Sequence, residues 1–288
     1  MGRVTAVILA AGYGSRLLPI TRCVPKEMLP LVDRPAIDLI VEELVEAGVD
    51  RIMVITSRRK GPLDAWFDRD PELEAALAGR PDRLALAQPR DVEVVFARQR
   101  RMGGTGDALR LARSFAGSGP VVVAYPDDLF GRPNCTAQLL EIYRQTGCSV
   151  LAASDGSHLD LTRYGVLDVG PTDGSSLPLR RIVEKPPAGQ APSSLVSWGR
   201  YVFAPEFFER LEADAAAHQG PGELYHVGAV NALAAEGRVR ARVVDAERFD
   251  TGTSLAYART FIELALRRPD IGPELGAWLR DRMERGDV

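Results

Sequence analysis

Apolar, β-branched runs recur along the first half of the chain, at 4–11 (VTAVILAA), 51–56 (RIMVIT), 92–97 (VEVVFA) and 120–125 (PVVVAY). Between them lie stretches of helical spacing at 35–48, 71–78 and 105–115. In 35–48 the apolar residues Ile37, Ile40, Val41, Leu44 and Val45 fall at i, i+3, i+4, i+7 and i+8, the period of one helix face, and Gly48 supplies a stop. Strands alternating with helices predict an α/β fold with a mostly parallel, mixed sheet flanked by helices on both faces. The second half mixes strands (148–154, 163–169, 179–184, 196–203, 239–244) with helices (205–217, 222–236, 253–267, 272–284). The segments 170–178 and 186–194, rich in Pro, Gly and Ser, read as turns. In such sheets ligands bind beyond the C-terminal strand ends, where Gly12–Gly14 and Asp127–Asp128 both fall.

Composition narrows the function classes. The net charge of -3 argues against a general nucleic-acid or membrane-surface binder, which carries a basic excess. Cys23, Cys135 and Cys148 form no CxxC pair, and such a sparse set reads as reduced thiols in a cytoplasmic protein. The N-terminal apolar run ends in glycines and reads as a core strand rather than a signal peptide, and no run approaches the ~18 apolar residues of a membrane span. Lys26, Lys60 and Lys185 are the only lysines in a chain that otherwise writes its positive charge as Arg. A position that stays Lys is a candidate for needing a compact ammonium.

The first strand runs into Gly12-Tyr13-Gly14-Ser15-Arg16-Leu17. A dinucleotide-binding loop has a third glycine where Leu17 stands, and the prolines that follow forbid a long helix. No GxxxxGK[ST] loop is present. A loop of backbone N–H groups with one Arg suits a polyphosphate, and a plain tight turn with a solvated Arg16 explains it equally well. Pro25-Lys26-Glu27-Met28-Leu29-Pro30 tips the balance, because a Lys in a Pro-stiffened loop near Arg16 suits the charge on a transferring phosphoryl or nucleotidyl group.

The loop together with PKEMLPLVDRP resembles the signature of the sugar-1-phosphate nucleotidylyltransferases, and in particular is similar to the bacterial UTP–glucose-1-phosphate uridylyltransferases. The likeness continues, in the family's order, through ARQRRMGGTGDAL, VVVAYPDDL, RYGVLDV, IVEKPP, GRYVF and FDTGTSLAYARTFIELALRRPDIGPELGAWL. It implies a Rossmann-like sheet of the nucleotide-diphospho-sugar transferase type and one domain over 1–288. That domain would have a nucleotide-binding half (1–130), a sugar-phosphate-binding half (131–250) and C-terminal helices (251–288). It also implies a homo-oligomer, dimer or tetramer. The implied reaction joins an NTP, UTP by preference, to a sugar 1-phosphate, glucose 1-phosphate by preference, with Mg²⁺ and release of pyrophosphate. A phosphate monoester is largely a dianion at neutral pH, with a second pKa near ~6, so attack needs no general base. His158, His218 and His226 are scattered, as that chemistry allows.

By motif match Arg16 and Lys26 contact the NTP phosphates, and Asp127 and Asp250 are the metal carboxylates. Ala11, Gly12, Gly14, Gln99 and Gly104 belong to the nucleotide, with the Gln99 amide offering a donor and an acceptor to a uracil or thymine edge. Gly165, Glu184 and Lys185 belong to the sugar phosphate. Asp128 is expected to point away from Asp127, as extended neighbours do. Each residue also has a plainer reading: a solvated Lys26, an Asx turn at Asp127, a surface Gln99, an exposed ion pair at Glu184–Lys185. The sequence departs from the family pattern at Ser15 (Thr in the family), at Asp107 (commonly His) and across GPGELYHVGAVNAL (a DEIQLTDAI-like segment). The last departure leaves a modified sugar or cyclitol 1-phosphate with dTTP or GTP open, as well as a non-catalytic nucleotide-sugar sensor.

Overall fold

The computed structural model describes residues 3–58, 60–218 and 220–286. The first apolar run forms β1 (Thr5–Leu9), buried along its whole length. The pleat sends Ala6 and Ile8 into one core and Val7 and Leu9 into another on the opposite face, so the strand must be apolar throughout. A short ribbon of β2 (Pro30–Leu31) and β3 (Arg34–Pro35) leads into α1 (Ala36–Glu46), which buries Ile37, Ile40, Val41 and Leu44. β4 (Arg51–Thr56) follows, then α2 (Gly61–Phe67), α3 (Pro71–Ala76), α4 (Pro81–Ala87) and β5 (Glu93–Arg98). The helix expected over 105–115 is broken into α5 (Gly104–Arg110) and α6 (Arg113–Ala116). β6 (Val121–Ala124), β7 (Asp128–Phe130), α7 (Cys135–Thr146) and β8 (Ser149–Asp155) complete the first part.

The remainder is β9 (Gly165–Val169), β10 (Leu177–Glu184), β11 (Leu195–Phe203), α8 (Glu206–Ala217), α9 (Val227–Ala235), β12 (Val239–Val243), β13 (Arg248–Asp250), α10 (Ser254–Leu266) and α11 (Gly272–Glu284). The nine-stranded sheet is ordered β5-β4-β1-β6-β11-β8-β12-β10-β9, a mixed α/β architecture. β5, β4, β1 and β6 pair in parallel, and β12 pairs in parallel with β8. β10 and β11 run against their neighbours, so the sheet is evenly mixed, with four parallel and four antiparallel neighbouring pairs, rather than mostly parallel as expected. The connection from Val169 to Leu177 is too short for a crossover helix, and short connections give antiparallel neighbours.

Two further departures bear on function. The helix expected over 222–236 begins only at Val227. Before it, Leu224 gives its N–H to the Gly103 carbonyl at 2.8 Å and accepts from the Gly106 N–H at 2.8 Å, so this backbone is committed to the glycine-rich loop. The second is the ribbon of β7 and β13, three residues each and too short to show a period in the sequence. Its antiparallel register sets Asp250 opposite Asp128. No helix is long and apolar enough to cross a membrane among the described residues, and Cys23, Cys135 and Cys148 are free thiols.

Candidate active site

The glycine loop leaves the C-terminal end of β1 and turns at Gly14, whose φ of 69° lies in the left-handed region. Thr21 Oγ1 donates to the Gly14 carbonyl at 2.9 Å, and a Cβ on Gly14 would stand 3.1 Å from Thr21 Cγ2 and 3.5 Å from Lys26 Cβ. The turn therefore packs directly on the segment that carries Lys26. That segment is a single 3-10 turn, Lys26–Met28, held between its two prolines. Its Glu27 is fully buried and accepts two hydrogen bonds from Lys60 Nζ, both 2.8 Å. The sequence offered no partner for Lys60, and its scarcity as a Lys was the only signal.

Lys26 Nζ reaches across to Asp127 Oδ2 at 2.8 Å. Burial works against both charges, but each partner outweighs it: Asp127 and Glu27 hold the Lys26 ammonium above its usual pKa, and Lys26, with Arg16, holds the Asp127 carboxyl below its own. Both stay ionised at neutral pH. Thr251 donates its N–H to the Asp127 carbonyl at 3.0 Å, which draws the turn after β13 against the end of β6. The position a Cβ would take on Gly252 lies 3.1 Å from Asp250 Oδ1, 3.4 Å from Asp127 Oδ2 and 3.7 Å from Arg16 Nη1. The missing side chain thus leaves a space faced by two carboxylate oxygens and a guanidinium. Hard oxygen donors in that number fit Mg²⁺, which keeps waters and takes phosphate oxygens. No group of three or more His, Cys, Asp or Glu placed to hold a metal occurs among the described residues.

Asp128 points elsewhere, as an extended neighbour should. It accepts from the Gly199 N–H at 3.0 Å and from Arg248 Nε at 2.6 Å. Burial pushes its carboxyl up, against the pull of Arg248. Arg248, unremarked in the sequence, also lies over the Trp198 ring at 3.7 Å and lines the site.

Two cavities meet here. One, of about 220 Å³, is lined by Ala11, Gly12, Lys26, Gln99, Gly104 and Asp127. The other, of about 520 Å³, is lined by Arg16, Asp127, Gly165, Glu184, Lys185 and Asp250. Thr105, Tyr125 and Asp127 line both. Gly14 lines neither and acts through the turn. The Gln99 amide differs from the expected donor–acceptor pair. Its Nε2 already donates to Gly104 O at 3.1 Å and Asp107 Oδ2 at 2.9 Å, because the loop folds both acceptors over it.

On the larger side, β9 and β10 pair Gly165 with Glu184, and a Cβ on Gly165 would fall 3.0 Å from Glu184 Oε2. The glycine leaves room for the carboxylate. Lys185 has φ 47°, rare for a residue with a side chain, and its N–H donates to the Tyr164 carbonyl at 2.9 Å. Its Nζ stands 4.0 Å from Glu184 Oε1. The wall behind is aromatic. His226 Nδ1 contacts Thr105 Oγ1 at 2.9 Å, and the ring meets Tyr201 edge-on at 5.1 Å. Burial lowers His226 from 6.5 to about 4, so it is neutral.

The nucleotidyl transferase profile matches residues 5–265. The chain is 36% identical over 281 residues to a UTP–glucose-1-phosphate uridylyltransferase of Staphylococcus epidermidis, covering 96% of each, and 34% identical over 288 residues to one of Bacillus subtilis, covering 98% of each. Among solved structures it is similar to a UTP-bound UGPase from Acinetobacter baumannii (TM-score 0.87, 31% identity, 97% of this chain and 99% of that one). A UDP-glucose pyrophosphorylase complexed with UDP-glucose also matches (TM-score 0.79, 31% identity, 93% of this chain and 100% of that one). With its loop, paired carboxylates and twin cavities all inside the matched span, the chain belongs to the nucleotidyl transferase family.

Proposed function

We propose that the protein transfers the uridylyl group of UTP to glucose 1-phosphate, with Mg²⁺, giving UDP-glucose and pyrophosphate. The observation that carries this reading is the meeting of the two cavities at Asp127, with the nucleotide motifs on one side and the sugar-phosphate motifs on the other. The full-length likeness to uridylyltransferases, one solved with UTP and another with UDP-glucose, supports the choice of substrates. The parallel half of the sheet, β5-β4-β1-β6, supports the Rossmann-like reading and puts the glycine loop at the strand ends.

The base enters the smaller cavity against Ala11, Gly12 and Gln99. Glucose 1-phosphate enters the larger one, where Glu184 accepts from sugar hydroxyls and Lys185 holds the phosphate. A phosphate oxygen of the sugar attacks the α-phosphorus of UTP, a new P–O bond forms, and the bond to pyrophosphate breaks. Two anions must approach each other, so the chain's task is to position and to neutralise. Arg16 and Lys26 do so at the triphosphate. Lys26 exchanges its pairing with Asp127 for phosphate oxygens, and Asp127 with Asp250 would hold Mg²⁺. When bound, the ion supplies further neutralisation at the phosphates. The aromatic wall of Tyr125, Tyr201 and neutral His226 offers the sugar a face without a competing charge.

Pyrophosphate release, measured with Mg²⁺ across five NTPs and a panel of sugar and cyclitol 1-phosphates, tests this. UTP with glucose 1-phosphate is expected to be fastest. Faster release with another pair would reassign the substrates, and none with any pair would refute the activity.

A further inference from the structure

We propose that Asp107 sets the base selectivity of the smaller cavity by fixing the orientation of the Gln99 amide. This rests on the reading of that cavity as the base site. Gln99 is only 6% exposed and lines the cavity beside Ala11 and Gly12. Its Nε2 donates to Asp107 Oδ2 at 2.9 Å and to the Gly104 carbonyl at 3.1 Å. A carboxylate and a carbonyl oxygen only accept, so the two contacts admit one orientation of the amide. The NH₂ is fully engaged, and Oε1 is the atom left to meet a ligand. Two glycines keep the acceptors in place. Gly104 holds φ 93°, and a Cβ on Gly103 would lie 2.7 Å from Asp107 Oδ2.

A pocket that presents an acceptor selects a ring with a donor at the same point. Uracil offers N3–H between two carbonyl oxygens. Cytosine offers a lone pair at N3, which faces Oε1 with repulsion. An unrestrained Gln flips its amide to suit either base. Asp107, adding the shorter contact to that of the Gly104 carbonyl, removes that freedom and makes the reader one-sided. Thymine shows the same edge as uracil, so the device separates uridine and thymidine nucleotides from cytidine ones. This gives the departure at position 107 from the family's common His a physical role.

The test is calorimetric titration of UTP and CTP, each with Mg²⁺, into the wild type, Asp107→Ala and Asp107→Asn. The wild type is expected to prefer UTP. Asp107→Ala leaves the Gly104 carbonyl, at 3.1 Å, as the one remaining contact against a flip, and lowers the UTP:CTP affinity ratio by up to roughly tenfold, the size of one hydrogen bond gained or lost. Asp107→Asn keeps most of the preference, because its side-chain oxygen still accepts from Gln99. Should Asp107→Ala not fold, Asp107→Ser takes its place, since a hydroxyl tolerates both amide orientations. A merely structural role for Asp107 lowers both affinities together and leaves the ratio unchanged. That result, or a wild type that binds CTP as tightly as UTP, overturns the proposal. A shifted ratio in a protein that releases no pyrophosphate supports the selectivity and refutes the activity proposed above, so the two failures are distinguishable.

Discussion

The two cavities that share Asp127 are built to different standards of order. In the smaller cavity, proposed above for the nucleotide, Gln99 and Ala11 are buried, the Gln99 amide is already bonded, and Lys26 and Asp127 neutralise each other. In the larger cavity, proposed above for the sugar phosphate, the Lys185 and Glu184 side chains are 65% and 49% exposed and stand 4.0 Å apart. The first holds its groups in place before the ligand arrives, with only the Lys26–Asp127 pair left to be exchanged. The second gains its electrostatic contacts only when a charged ligand replaces water around them, because an exposed ion pair contributes little. Preorganised charge is worth most where the reacting phosphorus sits. In the proposed reaction the glucose ring, unlike its phosphate, needs only to be held.

That contrast orders the expected effects of substitution. The largest falls where the cavities meet: Lys26→Ala and Asp127→Asn each lower turnover by about a thousandfold while circular dichroism stays unchanged. Near-normal turnover in either would remove that residue from the phosphate chemistry. Next comes the brace beneath the Lys26 turn. Lys60→Ala leaves the buried Glu27 carboxyl unpaired and should cost about 3 kcal/mol in denaturant unfolding, as for other broken buried pairs. Burial disfavours the Lys60 charge too, so a neutral stability change would mean that the pair is held by packing rather than attraction.

A smaller effect comes from the aromatic wall of the sugar side. The folded protein keeps His226 neutral down to about pH 4, while the unfolded chain takes up the proton near 6.5. The contribution is therefore present above pH 6.5 and lost as pH falls toward 4, about 2 kcal/mol between pH 8 and pH 5. His226→Gln should flatten the pH dependence of stability by that amount, and an unchanged slope would assign the acid sensitivity to other groups. The smallest change is at the exposed rim. Glu184→Gln should raise KM for glucose 1-phosphate by roughly fivefold with kcat retained, the scale of one weakened hydrogen bond. A fall in kcat instead would place Glu184 closer to the reacting atoms.

What the sequence disclosed follows the same divide. β1, β4 and β6 were legible because strands covered on both faces are apolar throughout, and α1 because its buried face repeats at helical spacing. Arg16, Lys26, Asp127, Glu184 and Lys185 stood out by motif. β7 and β13 were not legible, since three residues show no period, yet their register sets Asp250 opposite Asp128, the neighbour of Asp127. The late start of α9 was hidden for another reason. Leu224 is bound by a loop more than a hundred residues earlier, and tertiary pairing overrides local helix preference. Lys60 and Arg248 act through partners distant in sequence, so no local pattern announces them. The bonded state of the Gln99 amide likewise depends on where Asp107 comes to rest.

The most direct test of the division between the cavities is a crossed set of steady-state constants. KM for UTP and KM for glucose 1-phosphate would be measured in the wild type, Gln99→Ala and Lys185→Ala. Separate sites sharing one reacting centre require Gln99→Ala to raise KM for UTP alone and Lys185→Ala to raise KM for glucose 1-phosphate alone. A Lys185→Ala variant that weakens UTP while leaving glucose 1-phosphate untouched would contradict that division.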